Sequence, residues 1–141
     1  MSPGFLMHAG LIILVLKIAV AAVTVLWIAS LIALAVGRQR LHGRINIAFF
    51  ALTLAALVGL ELIVNLISPG LIEQFLQEHG AGDMLRLHLC FSVPSALLLF
   101  VMLFTGLKHK RYFHIGAGVL FSILWIGTVI TGIFFLPHEL P

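Results

Sequence analysis

The chain has 141 residues, of which 62% are hydrophobic and 9% charged. A soluble domain carries about 25% charged residues, so this composition excludes a water-soluble globular fold. The net charge of +3 is too small and too dispersed for a nucleic-acid surface. The single cysteine, Cys90, excludes an internal disulfide and a CxxCH haem-attachment motif.

Four apolar runs fill most of the chain, roughly 9–36, 45–68, 85–107 and 112–136. Each is near or above the ~20 residues needed to cross a bilayer. Within lipid, backbone groups must be satisfied inside the segment, so the runs are helices. The expected fold is all-α: an integral-membrane, up-down four-helix bundle forming one domain over 1–141. Met1 to Gly10 has no basic segment, and the first run is far longer than a signal-peptide core, so it reads as a retained helix.

The first loop carries Arg38, Arg40 and Arg44, and the third carries Lys108, Lys110 and Arg111. The middle loop carries Glu73, Glu78 and Asp83 against Arg86. The positive-inside bias therefore places loops one and three in the cytoplasm and both termini outside it. In the middle loop, Pro69 and Gly70 end the second helix. Leu71, Ile72, Phe75 and Leu76 then share one face, with Glu73, Gln74, Gln77 and Glu78 pointing elsewhere. This predicts a short helix lying on the outer membrane surface, as a lid or as a docking face.

Intramembrane ionisable groups are costly and face a partner or a cavity. The topology puts Lys17, Glu61, Asn65, Ser92 and Thr131 at similar depth in the outer half, with His88 near the start of the third run. A Lys17–Glu61 pair is the economical structural reading of this cluster. The functional reading is an outer-half site where Glu61 and His88 bind a metal, handle protons or contact a quinone. Pro94 interrupts the third run and is expected to kink it. Trp27 and Trp125 lie too deep for an interfacial belt and are expected to pack inside the bundle or in a partner groove.

Seven histidines occur in this apolar chain. His79 and His138 read as wet boundary side chains, and His109 as a lipid-headgroup contact. His42 and His114 lie on the cytoplasmic side of the second and fourth helices, which are diagonal partners. His8 and His88 form the corresponding outer diagonal on helices one and three, although His8 also reads as a boundary residue. Facing neutral imidazoles ligate haem iron or a transition metal, and two such pairs describe a transmembrane electron path. His88 and His114 sit at opposite ends of the ~30 Å hydrocarbon thickness and cannot share one iron. Copper ranks lower, because Cys90, Met84 and Met102 form no closely spaced soft-ligand motif. Small residues such as Gly59 and Gly118 admit a porphyrin or a neighbouring helix.

His114, Trp125 and Thr131-Gly132, with His88 upstream and His42-Gly43-Arg44 opening the second helix, resemble the YozB-like family of small four-helix bacterial membrane proteins. The resemblance covers roughly residues 42–136. It implies an inner-membrane protein associated with haem–copper oxidase genes, with His42, His88 and His114 as presumed ligands or functional histidines. Glu61 and Asn65 depart from the aromatic or histidine expected near the end of the second helix. The expected function is a membrane subunit of respiratory or photosynthetic electron transfer, binding b-type haem through histidines. The alternative is a cofactor-free accessory or assembly subunit of a membrane oxidoreductase complex. In either case the expected partners are the lipid bilayer and a larger complex or further copies of the chain. No nucleophile–base pair, phosphate loop or zinc-protease motif marks a stand-alone enzyme.

Overall fold

The computed structural model describes residues 3–67 and 69–137, so His138 lies outside the described residues. The elements are α1 (Pro3–Ala35), α2 (Gln39–Leu62), α3 (Leu71–Glu78), α4 (Gly82–Leu107) and α5 (Arg111–Ile130). α2 and α5 each continue into a π-helical turn, at Ile63–Ile67 and Thr131–Phe135. Four helical spans, His8–Ala35, Gln39–Leu66, Gly82–Leu107 and Arg111–Phe135, are long and apolar enough to cross a membrane. The protein is an all-α integral membrane protein.

The chain folds as two helical hairpins. α1 packs along α2, and α4 along α5, while the hairpins touch more sparingly, through α2 with α4 and α1 with α5. α2 and α5 are therefore diagonal. The two tight hairpin turns carry the basic residues and lie at one end, the basic rim. α3 connects the hairpins at the opposite end, the lid end.

Large apolar side chains remain exposed on every spanning helix, among them Val25 (65%), Leu97 (64%) and Phe113 (74%). Such a surface is stable only against lipid or another apolar partner. The interior holds Val23, Phe49, Leu99, Phe121 and Trp125, with Leu26, Trp27, Leu98 and Met102 packed against them. The Phe49 ring meets Phe121 edge-on at 5.9 Å and Trp125 at 5.2 Å, and Phe121 stacks on Trp125 at 5.6 Å. These aromatic contacts join the two hairpins. Both tryptophans pack within the bundle, as their depth in the sequence predicts.

Two expectations need correction, the start of α2 and the glycines of close helix approach. α2 begins at Gln39 rather than at 45, because helix formation continues into Gln39, Arg40 and Leu41, residues of good propensity that hydropathy does not register. Of the two readings of α3, the lid is the one observed: Leu71, Phe75 and Leu76 are buried against the bundle with Ala9, Ile13 and Ala81. Close helix approach occurs at other glycines than those singled out. A methyl group at Gly59 meets nothing within 4 Å, and one at Gly118 meets only Met102 Cε at 3.8 Å. A methyl at Gly127 would enter the Phe91 ring, so Gly127 sets the α4–α5 seam. α4 runs as one helix through Pro94.

Candidate functional site

At the basic rim, both hairpin turns are built the same way. Arg38 N–H donates to Ala33 O (2.8 Å), and Lys110 N–H to Thr105 O (2.9 Å). Gly37 N–H donates to Leu34 O (3.0 Å), and His109 N–H to Gly106 O (3.2 Å). Gly37 (φ 76°) and His109 (φ 53°) are both left-handed. Arg38 and Lys110 then stand as N-cap residues with nearly equal backbone angles, φ −85° and ψ 64° against φ −82° and ψ 74°. One turn further on come His42 and His114. Their amide N–H groups donate to Arg38 O and Lys110 O.

The imidazoles continue the correspondence. His42 Nδ1 donates to Ser30 O at 3.0 Å, and His114 Nδ1 to Met102 O at 3.1 Å. Two turns beyond each histidine lie Phe49 and Phe121, which touch. All these pairs are related by one constant shift in residue number, so the hairpins are structural repeats. Both turns lie at one end, which makes them parallel repeats about an axis along the membrane normal. His42 and His114 meet near that axis, with ring centroids 6.5 Å apart and planes at 82°. The sequence predicts this diagonal pair, and the structure brings it together.

The surroundings of the two rings differ. Ser30 Oγ accepts from His42 Nδ1 (2.8 Å) and donates to Asn46 Oδ1, and Asn46 Nδ2 donates to His42 Nε2 (3.0 Å). These bonds close a ring around His42. His114 Nδ1 also approaches Thr105 Oγ1 (3.3 Å), whose hydroxyl donates to Val101 O (2.8 Å). Among the described residues, His114 Nε2 has no hydrogen-bond partner. A methyl on Gly106 would come within 3.3 Å of His114 Cε1, so this glycine makes room for the ring. Ser30, Asn46, Thr105 and Gly106 were not singled out from sequence. Their signal is the spacing of Asn46, one turn after His42, and the repeat of a basic N-cap one turn before each histidine.

Around the imidazoles the rim is cationic. Arg38, Arg40 and Arg44 line a surface hollow of about 590 Å³ with Gly37, Gln39 and Leu41. Lys108 lies over the Phe104 ring at 6.0 Å. Among the described residues the one ion pair is elsewhere, Arg86–Asp83 at 3.5 Å on the exposed lid end.

At the lid end, His88 Nδ1 bonds Thr131 Oγ1 at 3.0 Å. A methyl on Gly132 would lie 2.9 Å from His88 Cε1, so Thr131-Gly132 is the seat of the His88 ring. Thr128 and Ser95 continue the polar contacts inward (Oγ1 to Oγ 3.3 Å). Ser92 is half-buried on the same helix. His8 is exposed, and no ring contact or hydrogen bond joins it to His88 among the described residues. The outer histidine diagonal is therefore not assembled. His79 stacks on Phe75 at 4.2 Å and bonds its carbonyl at 2.7 Å.

The Lys17–Glu61 pairing is also replaced. Lys17 Nζ donates to Ile133 O (2.7 Å) and Leu136 O (2.6 Å), carbonyls in and just beyond the π turn that ends α5, where a helix end leaves its last carbonyls without intrahelical partners. Glu61 is exposed and accepts from Asn65 Nδ2 at 2.6 Å, one turn along its own helix. Glu61 and Asn65 thus bond each other, and no contact joins either to His88 among the described residues. No group of three or more His, Cys, Asp or Glu placed to hold a metal occurs among the described residues.

No protein-family model, curated protein or solved structure matches the chain.

Proposed function

We propose that the protein is a membrane electron-transfer subunit that holds one b-type haem between His42 and His114. The observation that supports this is the pair itself: two imidazoles presented by two repeats, each anchored through Nδ1 to the equivalent carbonyl. A metal-ligating histidine donates its other N–H to such a carbonyl, which leaves Nε2 with its lone pair. With ring centroids 6.5 Å apart, His42 and His114 are the residues that would hold the group. A bare ion needs three or four protein ligands, whereas a haem would ask the chain for only the two histidine nitrogens. The cationic rim, with Arg38, Arg44, Lys110 and Arg111, suits the carboxylate edge of that ligand. Bound haem would supply one-electron chemistry. The chain would hold it, fix the tautomers of its ligands and exclude water through the Phe49–Phe121–Trp125 layer.

In this reading the basic rim faces the bacterial cytoplasm and both termini face outside. The chain works within a larger oxidoreductase complex, with haem–copper oxidase as the first candidate from the family resemblance.

A specific observation favours a second reading. Asn46 occupies His42 Nε2, so the polar cluster around His42 is satisfied without iron. A cofactor-free accessory subunit uses that ring of bonds simply to fix α1 against α2. Haem titration of the purified chain, with pyridine-haemochrome quantitation, separates the two. The expected result is one b-type haem per chain, lost in His42→Ala and in His114→Ala and retained in His88→Ala. Absence of haem binding by the wild type, or its persistence in both rim variants, rejects the haem reading.

A further inference from the structure

The two side-chain polar atoms that are buried without a partner among the described residues are Thr53 Oγ1 and Trp125 Nε1. They are 8% and 4% exposed as residues. Thr53 lies one turn beyond Phe49, and Trp125 one turn beyond Phe121, so they occupy equivalent positions in the two repeats. α2 and α5 run in the same direction, which places both residues at one depth, near the middle of the bilayer. The Phe49 ring, one turn from Thr53, lies 5.2 Å from the Trp125 ring.

Thr53 is unlike six other helical hydroxyls of the chain. Thr24, Ser95, Thr105, Ser122, Thr128 and Thr131 each donate to the carbonyl one turn back. Thr53 makes no such bond. Its hydroxyl and the Trp125 indole N–H are two donors in a dry apolar layer, and buried polar groups of this kind are satisfied in native proteins. An indole N–H can only donate, so the missing partner must accept.

We infer that Thr53 and Trp125 form a second site on the repeat axis, one that holds a single oxygen acceptor at mid-membrane. The oxygen belongs either to the carbonyl of a lipid-soluble ligand of the quinone class or to a buried water. Either would accept from the indole and the hydroxyl, and buried polar groups that lack a protein partner are the ones ordered waters and ligands satisfy. This site is separate from the imidazole pair and does not require haem.

The test is the 15N-indole NMR signal of the full-length chain in detergent micelles, with Trp27→Phe leaving Trp125 as the sole reporter. A downfield, hydrogen-bonded indole proton that moves upfield in the near-isosteric Thr53→Val variant is the expected result. Cross-relaxation of that proton with solvent identifies water. Displacement of the signal by a ubiquinone with one isoprene unit, absent in Thr53→Val, identifies the carbonyl class. A signal at the free-indole position that the quinone leaves unmoved, or one unmoved by Thr53→Val, overturns the site.

Discussion

The two hairpins share a plan and differ in what surrounds it. Each turns through a left-handed residue, starts its second helix on a basic N-cap and anchors an imidazole to the carbonyl of the preceding helix. In the first hairpin the histidine is enclosed by Ser30 and Asn46. In the second, Met102 and Gly118 stand at the equivalent positions and His114 Nε2 is left open. The lesson is that backbone geometry sets where an imidazole can stand, while the neighbours one turn away decide whether its second nitrogen is available.

The strongest way to break this equivalence is to remove each imidazole in turn. If the pair is one site, His42→Ala and His114→Ala lower haem affinity equally. Each loss should exceed the roughly 10–100-fold that outer-shell changes cost. A large loss in one variant with none in the other would make the repeats functionally unlike.

The helix seams give the next largest contrast. Gly127 of the second hairpin corresponds to Ala55 of the first. Gly127→Ala drives a methyl into the Phe91 ring. Overpacking of this kind costs about 1–3 kcal/mol, read as a lowered unfolding temperature in micelles. Ala55→Gly should cost no more than the ~1 kcal/mol of helix propensity.

Asn46 sharpens the comparison at the imidazoles. Asn46→Ala removes the amide that competes for His42 Nε2, a hydrogen bond worth about 1 kcal/mol net. Haem affinity by titration should then rise roughly fivefold, since 1.4 kcal/mol corresponds to a factor of ten. A fall in affinity instead would mean that the amide orients the ring in the bound state.

The smallest effect lies in the turns. His109 holds a left-handed conformation that its counterpart Gly37 adopts without a side-chain clash. His109→Gly relieves about 1 kcal/mol, and Gly37→His loses a similar amount, both measured by thermal unfolding. Equal stabilities in all three proteins would show that the turns relax freely.

Much of this was legible in the sequence. The spans follow from run length, and the gathering of the basic turns at one end follows from helix order. The diagonal pairing of His42 with His114 follows from an up-down topology. The lid helix over the bundle was visible in the spacing of Leu71, Phe75 and Leu76. Other features were hidden for physical reasons. Hydropathy marks where a chain is apolar, not where its helix begins, so the apolar run starts at 45 while α2 starts at Gln39. Coulombic reasoning joined Lys17 to Glu61, but an ammonium is satisfied as well by carbonyls, and a helix end, whose last carbonyls lack intrahelical partners, supplies them. That Thr53 Oγ1 and Trp125 Nε1 lack partners among the described residues could not be read, because a threonine in a spanning helix ordinarily bonds its own backbone.

Lys17 has a mechanical consequence. It ties α1 to the last turn of α5, at the end where α3 also packs on α1 and α4. At the opposite end, no backbone or charged tie crosses between the hairpins among the described residues; side-chain rings meet there instead. The hairpins are thus pinned by a charged side chain beneath the lid and by rings alone toward the rim, so His42 and His114 meet at the less securely fastened end.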